Sequence, residues 1–211
     1  MLMEHPQSSV HSFHIPEQQG YFSRNSIAQL AVELEERGLE PQGHTLRIVR
    51  LAESIGNMLG LRSDNMEALI HAAYLHDVGK LMLPEKILLK PDSLDPSEWD
   101  MIKTHSRWSA IIAAALPSVH PRAVAAVLHH HERWDGTGYP SYLSGEQIPI
   151  ESRVIAVCDV YDTLISKRSY SRAWSPHNAL EEIQSRRGNH FDPKVVDAFL
   201  ERALGKLTLT I

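Results

Sequence analysis

The stretch Tyr74-Leu75-His76-Asp77-Val78-Gly79-Lys80 sets an imidazole beside a carboxylate where an apolar helical run stops at a glycine. Those two side-chain types together hold hard or borderline divalent cations at neutral pH. Lys80 adds a fixed positive charge within reach of an anion bound there. Further donors of the same kinds are scattered along the chain: Glu40, His44, His105, His130, His131 and Asp159. Each stands on, or at the edge of, a segment with helical apolar periodicity. Glu40 and His44 are four apart, which puts them on one face if the turn is helical. Asp159 lies inside an apolar run at 154–164, where a lone carboxylate is costly to bury. A cation at the centre of a helical bundle would satisfy all of them together. Imidazole and carboxylate without thiolate favour iron, manganese or zinc at a reactive centre over a structural zinc site.

Taken singly, each of these residues has a plainer explanation. A lone helix histidine is more often a satisfied, partly buried side chain, and Asp159 alone would pair with Arg153 or Lys167. His71, His120, His129, His177 and His190 are placed in that ordinary class, although His129 could replace a neighbour in the run of three. His5, His11 and His14 read as solvated residues of an arm. A second motif shifts the balance. His130-His131-Glu132-Arg133-Trp134-Asp135-Gly136-Thr137-Gly138-Tyr139-Pro140 joins a histidine pair to a loop whose two glycines let it fold tightly against a site. Asp135 would brace that loop, and Tyr139 offers a hydroxyl and a ring face.

The elements that must carry these residues are helical. Residues 1–22 lack an apolar period and read as an irregular arm, 23–205 as one domain, and 206–211 as a tail with strand-like alternation from Leu207 to Ile211. Apolar stripes predict a helix from Ser23 to Gly38, a second from Gly43 to Leu59, and a third capped by Ser63 and ending at His76-Asp77. Asp95-Pro96-Ser97-Glu98 opens a helix expected to run unbroken to Leu116. Another covers Arg122 to His131, Pro149 opens a strongly apolar one, and Ser175-Pro176 and Asp192-Pro193 begin two more. The expected architecture is an all-α bundle of about seven or eight helices with a long loop after the histidine pair. At 211 residues no disulfide or structural metal is needed for stability, and the single cysteine, Cys158, fits a reducing cytoplasm. A net charge of −5 offers no general field for a nucleic-acid polymer, and no apolar run reaches membrane length.

On these motifs the chain resembles the HD-GYP family, bacterial cyclic di-GMP phosphodiesterases within the HD superfamily of metal-dependent phosphohydrolases. The matching text is HDVGK at 76–80, LPEKILLKPDSLDPSEWDMIKTH at 83–105, HHERWDGTGYP at 130–140, IPIESRVIAVCDVYDTLISKRSY at 148–170 and GNHFDP at 188–193. The resemblance spans about residues 28–200 and implies a five-helix HD core with added helices. It implies His44, His76, Asp77, His105, His130, His131 and Asp159 as metal ligands, with Asp77 bridging two ions. Glu40 matches a glutamate that some members use for a third, so two or three divalent ions are expected, iron or manganese. Lys80 resembles the lysine beside the scissile phosphate and Tyr139 the tyrosine of the signature. Arg168 resembles a basic residue that contacts the dinucleotide. Ser171 stands where Arg or Lys is common, with Arg172 next to it as a substitute.

The expected activity is hydrolysis of cyclic di-GMP to pGpG, and onward to GMP, by attack of a metal-bridging hydroxide, with Asp77 and Lys80 as the catalytic groups. Its histidine ligands must be neutral, so activity is expected to fall below about pH 6. Two other readings are carried. One is a catalytically weak module that binds a cyclic dinucleotide or a protein in signalling; the other is a hydrolase of another cyclic dinucleotide. Sensor or cyclase domains are the expected protein partners, since only a short arm precedes the core. A homodimer through the Leu- and Ala-rich residues near 27–37 is weighed against the commoner explanation, core packing.

Overall fold

The computed structural model describes residues 27–166 and 173–208, with side chains to residue 203. Ten α-helices lie among the described residues: α1 (Ile27–Glu36), α2 (His44–Met58), α3 (Ser63–Leu75), α4 (Glu85–Leu88), α5 (Pro96–Lys103), α6 (His105–Ala115), α7 (Pro121–Leu128), α8 (Ile150–Ile165), α9 (Pro176–Ser185) and α10 (Pro193–Thr208). A 3-10 turn, Val78–Met82, follows α3, and a second one, Gly145–Gln147, precedes α8. The fold is all-α; the described residues hold no strand beyond an isolated bridge between Arg187 and Phe191.

The middle of the bundle is α3, which packs against α1, α2, α7 and α8. Its buried residues are Ala68, Leu69, Ala72, Ala73 and Leu75. Three alanines among five keep the neighbouring helices close, so the end of α3 opens into the centre of the molecule, not onto its surface. Ile48, Ala52 and Ile55 of α2, Ala123, Ala126 and Val127 of α7, and Val154, Ile155 and Val157 of α8 complete this core.

Several expectations are corrected. The helix from Asp95 divides into α5 and α6 at Thr104. Thr104 donates its hydroxyl to the Met101 carbonyl at 2.6 Å, and its own N–H takes the same carbonyl three residues back, which tightens the chain out of the α-helical ladder. That division, with the one-turn α4, raises the helix count above seven or eight. Ser63 is the first residue of α3 and Arg62 occupies the cap position without a side-chain bond. The helix expected to reach His131 ends at Leu128, and His129 to His131 form a turn. Consecutive helical residues point about 100° apart, so leaving the helix lets His130 and His131 share a direction. Leu207 and Thr208 belong to α10, not to a strand, and this helix runs past the boundary expected at residue 205. The arm at 1–22 and the start of the first helix lie outside the described residues.

Candidate metal centre

The end of α3 delivers His76 and Asp77 to the core, and Gly79 brings α6 against them. A Cβ on Gly79 would lie 2.1 Å from the His105 carbonyl oxygen and 2.5 Å from the Ser109 amide nitrogen. Only glycine allows that approach. Its N–H donates to Ser109 Oγ at 2.7 Å, and His105, the first residue of α6, is held over Asp77.

Asp77 is the hub. Its Oδ1 lies 3.2 Å from His105 Nε2 and 3.9 Å from His130 Nε2. Its Oδ2 lies 3.4 Å from His76 Nε2 and 2.7 Å from Lys80 Nζ. The donors form two groups that share this carboxylate: Asp77 with His105, His130 and His131, and Asp77 with His44 and His76. The atoms of each group lie within 4.8 Å of one another. His44, His76, Asp77, His105 and His130 are all buried.

These residues fit a metal on grounds of hydrogen bonding alone. Nδ1 of His76, His105 and His130 faces the carbonyl three residues earlier, of Ala73, Ile102 and Val127, at 2.9, 2.6 and 2.6 Å. A carbonyl accepts only, so Nδ1 carries the proton and Nε2 presents a lone pair inward. The lone pairs of His105 and His130 then face each other at 3.3 Å, with His131 Nε2 3.1 Å from that of His105. His44 Nε2, His76 Nε2 and Asp77 Oδ1 are buried without any hydrogen-bond partner. Unpaired buried acceptors converging on one point are costly, and a divalent cation relieves that cost.

The remaining predicted ligands stand at the edge. His44 Nε2 is 3.5 Å from Glu40 Oε2 and 3.7 Å from Asp159 Oδ1. Glu40 lies in the bend before α2, not on the helix, yet meets His44 as its spacing suggested. The Glu40 carboxylate also accepts from Lys80 Nζ. Asp159 is not paired with Arg153, whose guanidinium holds Asp192 at 2.7 Å. Lys167, Arg168, Ser171 and Arg172 lie outside the described residues.

The charge states suit the same purpose. Burial resists charge on Lys80, but Asp77 and Glu40 hold it protonated well above the ordinary lysine range. Burial likewise opposes ionisation of Asp77, and Lys80 and His76 outweigh it, keeping the carboxylate charged. Burial, reinforced by neighbouring histidines, pushes His130 and His131 well below the ordinary imidazole range, so their lone pairs are free. For His76, burial lowers the value, but Asp77 with Asp159 raises it to about 9, so its ring holds a second proton toward Asp77 that a bound cation would displace. Glu40 is raised, by burial first, against the pull of Lys80.

Asp162 is the functional residue that the sequence reading passed over. Its Oδ2 lies 2.8 Å from His44 Nδ1, and Arg47 donates from Nη2 to that same oxygen at 2.9 Å. Burial raises its pKa, but His44 and Arg47 together bring it down to about 2. It orients His44 as a carboxylate orients a ligating histidine. The signal was in the sequence: Asp162 follows Asp159 by three in the same apolar run.

A cavity of about 460 Å³ opens over these donors, lined by Asp77, Lys80, His131, Tyr139 and Asp159 and, farther out, by Trp99. Tyr139 stacks on His131 with ring centroids 4.8 Å apart, and burial, then Asp77, raises its pKa, so its hydroxyl keeps its proton. The loop that carries it folds back on itself. A Cβ on Gly138 would meet the Arg133 nitrogen at 2.4 Å and the Glu132 Cα at 2.5 Å. Asp135 accepts from the Thr137 N–H at 3.0 Å and from Arg133, the expected brace. Trp134 and Asp135 donate their amides to the His190 and Asn189 carbonyls at 3.0 and 2.8 Å, so the segment before α10 backs the loop. Buried Glu132 accepts from the Ser141 N–H at 2.7 Å and closes its far end. His129 turns away to Ser141 Oγ at 3.2 Å, and His177 is exposed.

The family model for the HD domain matches residues 28–195. The chain is 36% identical over 180 residues to the 3'3'-cGAMP-specific phosphodiesterase 2 of Vibrio cholerae serotype O1, covering 85% of this chain and 34% of that one. It is 38% identical over 178 residues to the cyclic di-GMP phosphodiesterase response regulator RpfG of Xanthomonas campestris pv. campestris, covering 84% and 47%. The chain thus spans between a third and a half of the length of these relatives. The crystal structure of a cyclic GMP-AMP specific phosphodiesterase of V. cholerae, V-cGAP3, shares the fold with a TM-score of 0.67 at 21% identity, over 87% of this chain and 49% of that one. No helix among the described residues is long and apolar enough to cross a membrane.

Proposed function

Because the chain belongs to the HD domain family and carries the HD-GYP signature in its own sequence, we propose that it is a metal-dependent phosphodiesterase that opens cyclic di-GMP. The observation that carries this reading is the pair of donor groups sharing Asp77, which lines one cavity together with Lys80, His131 and Tyr139. His44, His76, Asp77, His105, His130 and His131 would hold the ions, with Glu40 and Asp159 at the edge, and a set of imidazoles and carboxylates suits iron or manganese. Two donor groups suit two ions. Bound there, divalent ions activate water as a nucleophile and neutralise charge on phosphoryl oxygens.

The protein's own groups do the rest. Asp77 stays ionised and fixes the two groups relative to each other. His130 and His131, held neutral by burial, keep their lone pairs for coordination. Lys80, kept protonated by Asp77 and Glu40, puts a positive charge beside the non-bridging phosphate oxygens, where charge grows in the transition state. Tyr139 keeps its proton and can donate to a phosphate or sugar oxygen above the site. The buried floor excludes bulk water and strengthens each of these interactions.

A second reading, hydrolysis of another cyclic dinucleotide, is favoured by the 36% identity to a 3'3'-cGAMP-specific enzyme. One experiment tests both. Protein reconstituted anaerobically with iron or with manganese is incubated with cyclic di-GMP and with 3'3'-cGAMP, and the products are identified by chromatography. Linear dinucleotide from cyclic di-GMP, lost in the His76→Ala/Asp77→Ala double variant, is the expected result. Turnover of 3'3'-cGAMP alone would replace the first reading by the second. Tight binding without turnover under either metal would sink both in favour of a signalling module.

A further inference from the structure

Trp99 is the aromatic part of the cavity that the phosphate chemistry leaves unused. Its indole lines the cavity over the donor groups and is 48% exposed. Ile102 and His105 line the same cavity at successive steps of three residues. One stripe therefore leads from an exposed aromatic side chain to a buried metal donor. The stripe survives the break at Thr104 because that residue keeps right-handed helical angles, φ −68° and ψ −15°.

The local sequence fixes the helix start that carries Trp99. Asp95 Oδ1 accepts from the Glu98 N–H at 2.9 Å, and Glu98 Oε2 accepts from the Asp95 N–H at 2.9 Å. Lys90 Nζ holds both oxygens of the Glu98 carboxylate, at 2.9 and 2.7 Å. Trp99 follows directly, its N–H on the Asp95 carbonyl at 2.9 Å. An aromatic ring presented by so closed a helix start loses little further freedom on contact with a ligand. Ligand cavities are lined largely by apolar and aromatic side chains beside a few polar groups, and Trp99 stands in such a lining with Leu88 and Ile102. Planar aromatic faces stack on nucleobases whatever the base, because every base has a π-face.

We propose that Trp99 is a base-stacking wall for one purine of the cyclic dinucleotide whose phosphate faces the Asp77 groups. This rests on the cyclic-dinucleotide reading above. It assigns Trp99 the task of telling a dinucleotide from a phosphodiester without bases. It gives Trp99 no part in telling guanine from adenine.

The test uses the full chain loaded with metal, as wild type, Trp99→Leu and Trp99→Phe. Steady-state hydrolysis of cyclic di-GMP is measured, together with the Kd and the indole fluorescence change for a non-hydrolysable phosphorothioate analogue of cyclic di-GMP. Trp99→Leu is expected to raise KM and Kd about 5- to 150-fold, the scale of one lost base stack, with kcat within a few-fold of wild type. Trp99→Phe is expected to restore most of the affinity. Wild-type fluorescence is expected to fall on binding, and that change to shrink in Trp99→Phe, where three tryptophans remain. KM and Kd within twofold of wild type in Trp99→Leu would overturn the wall, as would a fluorescence change of undiminished size in Trp99→Phe. If Trp99→Leu does not fold, the Trp99→Phe affinity and fluorescence decide. Wild type that turns over while Trp99→Leu keeps its KM sinks the stacking wall alone. Wild type that neither binds nor cleaves a cyclic dinucleotide sinks the functional reading, and the wall with it.

Discussion

Two histidine groups in this chain differ in what is left unpaired. At the centre, His76, His105 and His130 each spend Nδ1 on a carbonyl, and Nε2 of His44 and His76 has no hydrogen-bond partner. Where α3 meets the start of α7, His71 Nδ1 accepts from the His120 N–H at 3.0 Å. There His120 Nδ1 accepts from the Arg122 N–H at 3.2 Å, and His120 Nε2 meets Asp64 at 2.9 Å. The outer histidines close their hydrogen bonds on protein and act as cap and brace. The inner ones aim lone pairs at a shared point. Histidine content alone does not mark a metal site, nor does one unpaired nitrogen, since buried His190 Nδ1 has no partner either; what marks it is several such nitrogens around one carboxylate.

The largest effect should come from the atom pair that joins the two inner groups. Asp77→Asn keeps the shape of the carboxylate and removes its charge. Loss of the shared ligand should release metal from both groups and lower kcat by about a thousandfold or more, at or beyond the upper end of what a single electrostatic stabiliser contributes. Metal content by atomic emission and single-turnover hydrolysis would measure this. Full metal occupancy with unaltered kcat would mean that the inner groups are as ordinary as the outer ones.

Asp162→Asn should come next. It leaves every proposed ligand in place and weakens the hold on His44 Nδ1 together with the ion pair to Arg47. Partners of this kind cost about 10- to 100-fold in metal affinity or activity. A metal-competition titration would read it, and the donor group of His105, His130 and His131, which Asp162 does not touch, should keep its affinity. Equal losses at both groups would argue that Asp162 acts through general stability.

The contrast between Asp159 and Asp162 also shows what the sequence could and could not disclose. Both acids lie on α8 and both reach His44, yet only Asp159 was singled out, on the cost of burying a carboxylate inside the apolar run. The cost of burying a carboxylate applied equally to Asp162, and that argument alone would have found it. Side-chain types were legible: His76-Asp77, the His130-His131 pair and the glycine-rich loop all meet at one cavity. The helical class was legible too, from apolar spacing. Backbone chemistry was not. No pattern of residue types announces that three carbonyls at i−3 would fix three imidazole tautomers, or that the turn at His129 would let His130 and His131 face the same way. The break at Thr104 has no proline or glycine to signal it and arises from a side-chain hydroxyl competing for a carbonyl. The substrate contacts expected of Arg168 and Arg172 fall outside the described residues, whereas Trp99, quoted only as part of a matching motif, lines the cavity.

The outer group should respond to mutation in stability and not in chemistry. His120→Ala removes the α7 cap and the bond to Asp64. Loss of a helix cap costs roughly 0.5–2 kcal/mol, and a chain of this size shifts its Tm by about 2–4 °C per kcal/mol. Differential scanning calorimetry should show a fall of that order, with metal content and KM unchanged. A loss of metal with little change in Tm would reverse the assignment of the two groups.

The smallest effect is a pH dependence confined to His71. Its pKa is held below the ordinary value by burial first, with Glu67 opposing and His120 adding to the fall. Only the neutral ring can accept from the His120 N–H, so the folded chain resists its protonation. Above the unfolded value, near 6.5, His71 is neutral in both states and its contribution is complete. As pH drops below about 6.5 the unfolded chain takes up the proton first, and stability falls until the folded pKa is passed. In His71→Gln that proton is absent from both states. The Tm advantage of wild type over His71→Gln should therefore shrink between pH 7 and pH 5, while the inner histidines, common to both proteins, cancel from the difference. An advantage that stays constant or grows on acidification would show that His71 does not serve as an acceptor for His120, and the outer group would lose the closed bond on which its contrast with the inner one depends.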